Sequence, residues 1–267
     1  MSAFNVVSIA GSDPSGGAGI QADLKSFSAH GVFGMSVVTA LTAQSTRGVT
    51  GVHGVPASFV SDQMDTLFTD ATVHAVKVGM LGTSAVTEAV AAAVDRYELP
   101  NLVVDPVMVA KSGDRLLESS AIEALRTELL PRAGLITPNL PEAADLLGEA
   151  EATGLKQMRD QAERLLELGP RRVLLKGGHL PGAESVDLLV DGVSEPVEFR
   201  AARVDTRNTH GTGCTLSSSI AALIPQCPDT RAAVADAKAY LTEALRRAEE
   251  IDAGGGQGPV HHFHLWW

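Results

Sequence analysis

Two cysteines in 267 residues, Cys214 and Cys227, are too few for a disulfide framework, and no C-x-x-C pair supplies a zinc or redox spacing. Positive charge is scarce as well. Lys and Arg total 21 against 32 Asp and Glu, a net charge of -11, which argues against a nucleic-acid backbone or an acidic membrane surface as the main partner. Any phosphate site must therefore be local. No uninterrupted apolar run approaches the about 20 residues of a membrane span, and the first residues lack the basic flank and apolar stretch of a signal peptide. A soluble, cytoplasmic protein is expected. Internal repeats are absent, and the one low-complexity tract is Gly254-Gly255-Gly256. With 45% hydrophobic residues the chain can bury a large core, and a single domain over residues 1–267 is expected.

Apolar runs and helical periodicities alternate along the chain. An apolar run at 4–10 leads through a Gly-rich turn to a helical pattern carrying Ile20, Leu24 and Phe27. Residues 34–44 read as a second strand, and the Gly/Val alternation of 48–56 as an edge ribbon or flap. Helices follow at 57–68, 84–97, 118–129, 141–147, 155–168, 215–224 and 230–251. Strands are expected at 75–78, 102–105, 134–137 and 172–176, with an antiparallel edge pair at 186–191 and 197–200. Such alternation predicts an α/β fold with a largely parallel sheet and helices on both faces. Ligands bind such sheets beyond the carboxyl ends of the strands. That rule gathers Gly11, Gln44, Gly79-Met80, Asp105-Pro106-Val107, Thr137-Pro138-Asn139 and Lys176-Gly177-Gly178 on one rim.

Several stretches carry two readings. Asn208-Thr209-His210-Gly211-Thr212-Gly213-Cys214 precedes an apolar helix, so its backbone N–H groups are expected to converge on an anion, with the helix dipole favouring a Cys214 thiolate. The same residues would serve as a turn capping a core helix. The first Gly-rich turn lacks the lysine of a P-loop; Gly17-Ala18-Gly19-Ile20-Gln21-Ala22 fits G-x-G-x-x-A, yet no acidic residue near position 40 is present to hold a ribose. Asp23 either complements its helix dipole or faces a polar substrate. Asp105 and Glu142 offer hard oxygens suited to Mg²⁺, while Asn139 and Glu142 also fit a capping box. Lys176 and Lys238 are phosphate candidates or surface charges. The tail from His261 to Trp267 lacks a defined metal spacing, and its aromatic end is expected to dock on the domain.

Taken together, Ala10-Gly11-Ser12-Asp13-Pro14-Ser15-Gly16-Gly17-Ala18-Gly19-Ile20-Gln21-Ala22-Asp23, Val78-Gly79-Met80-Leu81-Gly82, Asp105-Pro106-Val107-Met108, Thr137-Pro138-Asn139-Leu140-Pro141-Glu142, Lys176-Gly177-Gly178-His179 and Asn208-Thr209-His210-Gly211-Thr212-Gly213-Cys214 resemble, in order, the hydroxymethylpyrimidine and phosphomethylpyrimidine kinases of thiamine biosynthesis. These belong to the ribokinase-like superfamily. The resemblance implies a three-layer α/β/α sandwich and an ATP-dependent, Mg²⁺-assisted kinase. Its substrates would be 4-amino-5-hydroxymethyl-2-methylpyrimidine and the monophosphate. By the matching positions, Asp23 and Gln44 would bond the pyrimidine, and Gly11, Met80 and Val107 would shape its pocket. Asp105, Asn139 and Glu142 would organise the metal and its waters, and Lys176 and Lys238 would meet nucleotide phosphates. Gly211, Thr212 and Gly213 match an anion hole, with Cys214 where related enzymes carry a proton-accepting Asp. A homodimer is also implied. Pyridoxal or pyridoxine phosphorylation and a non-catalytic vitamin- or nucleotide-binding regulator are the alternatives.

Overall fold

The computed structural model describes residues 3–108 and 119–267. Among the described residues eight strands form one sheet in the order β10-β9-β8-β7-β6-β5-β1-β2. They are β1 (Asn5–Ala10), β2 (Phe33–Val38), β5 (Ala75–Val78), β6 (Leu102–Val104), β7 (Leu135–Ile136), β8 (Val173–Lys176), β9 (Glu184–Val190) and β10 (Val197–Ala202). The run from β2 to β8 is parallel, and β9 and β10 pair antiparallel at one end. The apolar run expected as one strand at 34–44 is two. Its second half, β3 (Ala40–Ser45), leaves the main sheet after Thr39 and pairs antiparallel with β4 (Gly48–Gly54) in a separate hairpin. The break is fixed by Thr39, whose N–H donates to Ala10 O at 3.0 Å and whose hydroxyl donates to Met80 O at 2.7 Å.

Why the sheet is covered on both faces follows from the period of two. Val7, Val76, Val104, Ile136, Leu175 and Leu188 point into one apolar cluster, and their neighbours Val6, Ala75, Val103, Leu135, Leu174 and Leu189 into another. The first is closed by α2 (Ala57–Phe68), α3 (Ser84–Arg96), α4 (Ser119–Ala124), α5 (Leu140–Leu147) and α6 (Leu155–Leu166). The second is closed by α1 (Gly19–Ala29), α7 (Thr212–Leu223) and α8 (Thr230–Arg246). This is the expected three-layer sandwich. The helix expected at 118–129 runs through α4 into a π-helical turn at Leu125–Leu129; Glu118 lies outside the described residues. No helix among the described residues is long and apolar enough to cross a membrane.

The tail docks differently from expectation. Val260, His261, His262 and His264 are buried, whereas Leu265, Trp266 and Trp267 are exposed. The histidines carry the contact because the backbone there is tied down. His261 N–H donates to Ala244 O at 3.0 Å, and the Tyr240 hydroxyl donates to His262 O at 2.6 Å. Burial pushes the His262 imidazole down to about 3 from its ordinary 6.5.

A pH dependence follows. Below pH 6.5 the unfolded chain gains a proton at His262 that the folded chain refuses until about pH 3, so stability is lost as pH falls through that window. The residue's contribution is about tenfold in the folding equilibrium per pH unit. Urea unfolding of the parent and of His262→Gln between pH 7 and 5 is expected to show a shallower acid loss in the variant; equal slopes would place the acid sensitivity elsewhere.

Candidate active site

Two cavities lie beyond the carboxyl ends of the parallel strands and share a wall. One, of about 410 Å³, is lined by the loops after β1, β5 and β6, by Thr42 and Gln44 of β3, by Glu142, and by residues 209–214. The other, about 280 Å³, is bordered by apolar Val204, Leu216, Leu241 and Leu245 together with Asn139, Ser185, Asp187 and Lys238. Lys176, Thr209, Thr212 and Gly213 line both.

That shared wall includes the start of α7, which begins at Thr212 rather than at Thr215. Gly211 caps it with φ of 77°, and a Cβ there would stand 1.7 Å from Gly17 O. Only glycine permits both the left-handed backbone and the approach of the first Gly-rich turn. At Gly213 a Cβ would meet Lys176 Nζ at 3.2 Å and Asp105 Oδ2 at 3.6 Å. The helix N-terminus, a lysine and a carboxylate therefore converge on one small space, an arrangement suited to an anion.

Asp105 is buried and joins four elements. Its Oδ1 accepts from Lys176 Nζ at 2.8 Å and from the Thr137 hydroxyl at 3.1 Å, and its Oδ2 accepts from the Ser217 hydroxyl at 3.2 Å. Burial opposes its ionisation, but the charges of Lys176 and Lys77 hold the carboxyl below the usual range. Glu142 completes a capping box with Asn139, two bonds of 2.8 Å, so that reading holds, and it also lines the larger cavity. Burial, reinforced by Asp105 and opposed by Lys176, pushes Glu142 up to about 7. Two buried carboxyl groups on one cavity wall, the charge of Asp105 disfavouring that of Glu142, fit a hard divalent cation. Among the described residues no group of three or more His, Cys, Asp or Glu surrounds one point. Mg²⁺ would therefore share its coordination between Asp105, Glu142, water and phosphate oxygens.

Of the substrate-side candidates, Gly11, Gln44, Met80 and Val107 line the larger cavity. Asp23 does not. It is fully buried, bonded at both oxygens by Lys77 (2.9 and 3.0 Å) and by the Ser8 hydroxyl at 2.5 Å, and it also accepts from the Ser218 hydroxyl. The carboxylate is thus turned to a lysine beneath the cavity, and it is Lys77 that lines the wall. Lys77 is the functional candidate that sequence reasoning missed. Its signal was present: a lysine inside the buried apolar strand Ala75–Val78 needs a partner.

Asp13 and His210 were missed as well. Asp13 accepts from the backbone N–H and hydroxyl of Ser15 and from Ala18 N–H, and His210 Nε2 lies 2.7 Å from its Oδ2. His210 Nε2 also lies 3.4 Å from Gln44 Nε2. The histidine four residues before Cys214 thus faces Asp13 and Gln44.

The Cys214 thiol differs from expectation. Burial pushes it up to about 11, with Asp23 and Asp105 adding to the rise and Lys77 and the Gly19 N–H opposing it. The helix dipole is outweighed because desolvation disfavours the thiolate. Lys238 is likewise no solvated charge. Its ammonium is buried, donating to Asp187 Oδ2 at 2.6 Å and to Ser185 at 3.2 Å, on the wall of the smaller cavity.

A mostly parallel-sheet sandwich with two cavities meeting at a helix N-terminus suits transfer of a phosphoryl group between two small molecules, and similarity to known proteins places the chain among the ribokinase-like phosphotransferases. A statistical model of the family described as phosphomethylpyrimidine kinase matches residues 13–261. The hydroxymethylpyrimidine/phosphomethylpyrimidine kinase of Escherichia coli is 51% identical over the whole of both chains. A thiamine biosynthesis bifunctional protein of Geobacter sulfurreducens is 50% identical over 97% of this chain and 52% of its own length. The ADP complex of Bacillus subtilis pyridoxal kinase superposes with a TM-score of 0.90 at 33% identity, covering 99% of each chain. The chain belongs to the phosphomethylpyrimidine kinase family.

Substitution of the cap glycine Gly211 and of Gly213 in the first turn of α7 separates folding from phosphate binding. Gly211→Ala, strained by both φ and the Gly17 carbonyl, is expected to lower the melting temperature. Gly213→Ala only narrows the space before Lys176 and Asp105. It is expected to melt within a few degrees of the parent while kcat/KM for ATP falls by on the order of 10²-fold, the loss seen when one anion-stabilising donor is put out of use. Unchanged ATP kinetics in a folded Gly213→Ala protein would remove the helix N-terminus from the phosphate site.

Proposed function

We infer that the chain transfers the γ-phosphoryl group of ATP to the hydroxymethyl group of 4-amino-5-hydroxymethyl-2-methylpyrimidine, and then a second phosphoryl group to the monophosphate, in thiamine biosynthesis. The observation that carries this reading is the wall of Lys176, Thr212 and Gly213 shared by the two cavities. The larger cavity, with Gly11, Gln44, Met80 and Val107, takes the pyrimidine. The smaller takes ATP, its apolar side receiving the base and Lys176, Lys238 and Asn139 standing on the polar side. The whole chain acts as one kinase domain.

Phosphoryl transfer through a loose transition state demands positioning and charge neutralisation more than covalent help. The N–H groups of Gly211, Thr212 and Gly213 receive the equatorial oxygens, and Lys176 adds a positive charge that Asp105 holds in place. Mg²⁺, when bound by Asp105 and Glu142, neutralises charge on the phosphates. Cys214 faces the substrate hydroxyl and accepts its proton. Because burial keeps the thiol protonated at neutral pH, the competent form is the minor thiolate, and a base of this kind contributes about 10²–10⁴-fold.

Exposed Phe33, Leu41, Val52 and Phe59, on β2, the hairpin and α2, support association as a homodimer. The net charge of -11 and the absence of a disulfide framework support a cytoplasmic location.

ADP release measured with the pyrimidine, its monophosphate, pyridoxal and pyridoxine tests the reading. Turnover with the first two is expected to exceed that with the vitamins; faster turnover of pyridoxal would reassign the substrate, and no release with any would refute the kinase. Between pH 6.5 and 9, kcat/KM for the pyrimidine is expected to rise by about tenfold per unit, as the thiolate fraction does below its pKa. Cys214→Ala should lose that slope and most turnover while keeping substrate affinity. A parent slope that survives in Cys214→Ala would exclude the thiol as acceptor.

A further inference from the structure

One run of chain near the C-terminus contacts the elements on both sides of the larger cavity without lining it. At its start, Gly256 N–H donates to the Thr46 hydroxyl at 3.1 Å and Gln257 N–H to Thr46 O at 2.8 Å. Thr46 lies in the turn of the β3–β4 hairpin, two residues from Gln44. A Cβ on Gly256 would stand 2.0 Å from Thr46 O, so the two backbones touch. Two residues on, Gly258 O accepts from His210 N–H at 3.0 Å, and Pro259 bridges His210 in parallel. His262 Nε2 then lies 3.0 Å from the hydroxyl of Thr215, the residue after Cys214. Gly258, Pro259, Val260, His261 and His262 are all buried, and Tyr240 and Ala244 of α8 hold the far end.

The hairpin is tied to the main body at its root, where Ser12 N–H donates to Ala40 O and Val55 N–H to Thr39 O, both at 2.9 Å. It is a two-stranded sheet separate from the main one, and Leu41 and Val52 are exposed. An isolated two-stranded ribbon is marginal in water. Contacts with Ser12 through Thr42 and with His210 through Gln44 pin the cavity side; residues 256–257 pin the turn.

We propose that residues 256–262 are a positioning strap that fixes the substrate hairpin against the phosphoryl-transfer loop, so that loosening the strap at one end loosens the other. The proposal rests on the kinase reading only for its kinetic consequence. Strap residues touch neither cavity. They act through Gln44 and Thr42 on one side and through His210 and the start of α7 on the other.

Hydrogen exchange of the ligand-free protein tests the linkage without reference to substrate. Gly256→Ala forces the strap off Thr46, and Thr46→Val removes one acceptor from the hairpin side. Each is expected to speed amide exchange by about fivefold or more in residues 40–54, the loss of one hydrogen bond, and also to speed it in residues 209–215. Thr215→Val is expected to produce the reciprocal effect, and Thr215→Ser to restore the parent pattern. In kinetics, Gly256→Ala is expected to raise KM for the pyrimidine several-fold with KM for ATP near the parent value. Faster exchange confined to the hairpin, with 209–215 unchanged, would overturn the proposal. Should Gly256→Ala fail to fold by circular dichroism, Thr46→Val decides by the same criterion. A parent protein that phosphorylates no pyrimidine would sink the substrate reading and leave the exchange result to judge the strap.

Discussion

Asp105 sets the geometry of this molecule. One buried carboxylate, just past the end of β6, binds a lysine at the end of β8, a threonine just past β7 and a serine in α7. Removing Lys176 would leave a buried charge unpaired, a loss on the order of 3–5 kcal/mol, and removing either hydroxyl would cost about 1–3 kcal/mol. The carboxylate therefore holds Lys176 at the wall between the cavities. It also draws the N-terminal turns of α7 over the strand ends.

A second buried pair lies beneath the first. Lys77 and Asp23 are fully buried and bonded at 2.9 and 3.0 Å, and Ser8 and Ser218 complete the carboxylate. Burial opposes the charge on Lys77, yet Asp23, Cys214 and Asp105 together raise its basicity above the ordinary lysine range. The floor of the larger cavity thus carries an ion pair whose ammonium end lines the cavity next to the helix N-terminus. Both features favour an incoming phosphate and a departing hydroxyl proton. They compete with the desolvation that keeps Cys214 protonated.

The layers were legible because their cause is local. Alternating residues such as Val6 and Val7, or Val103 and Val104, announce a sheet buried on both faces, and Gly, Pro and Asn mark the loops. Gly11, Gln44, Met80, Val107, Asp105 and Lys176 were placed by their positions after strands, Glu142 by its helix start and residues 211–214 by their Gly-rich turn, and all line the same cavity. The misreadings have a nonlocal cause. Nothing near Asp23 in sequence shows that Lys77, 54 residues away, takes its carboxylate. The helix dipole that lowers a thiol is visible in a sequence, whereas the burial that raises Cys214 depends on the whole fold. The break at Thr39 depends on carbonyls contributed by Ala10 and Met80.

The central claim is that phosphoryl transfer takes place at the wall between the two cavities, in front of the first turn of α7. A crystal structure with a non-hydrolysable ATP analogue and the hydroxymethylpyrimidine tests it most directly. The account predicts γ-phosphate oxygens accepting from the N–H groups of residues 211–213 and from Lys176 Nζ. It also predicts the substrate hydroxyl between that phosphate and the Cys214 sulfur, at about 3–3.5 Å from the phosphorus. A γ-phosphate bound away from the start of α7, or a hydroxyl directed away from Cys214, would contradict it.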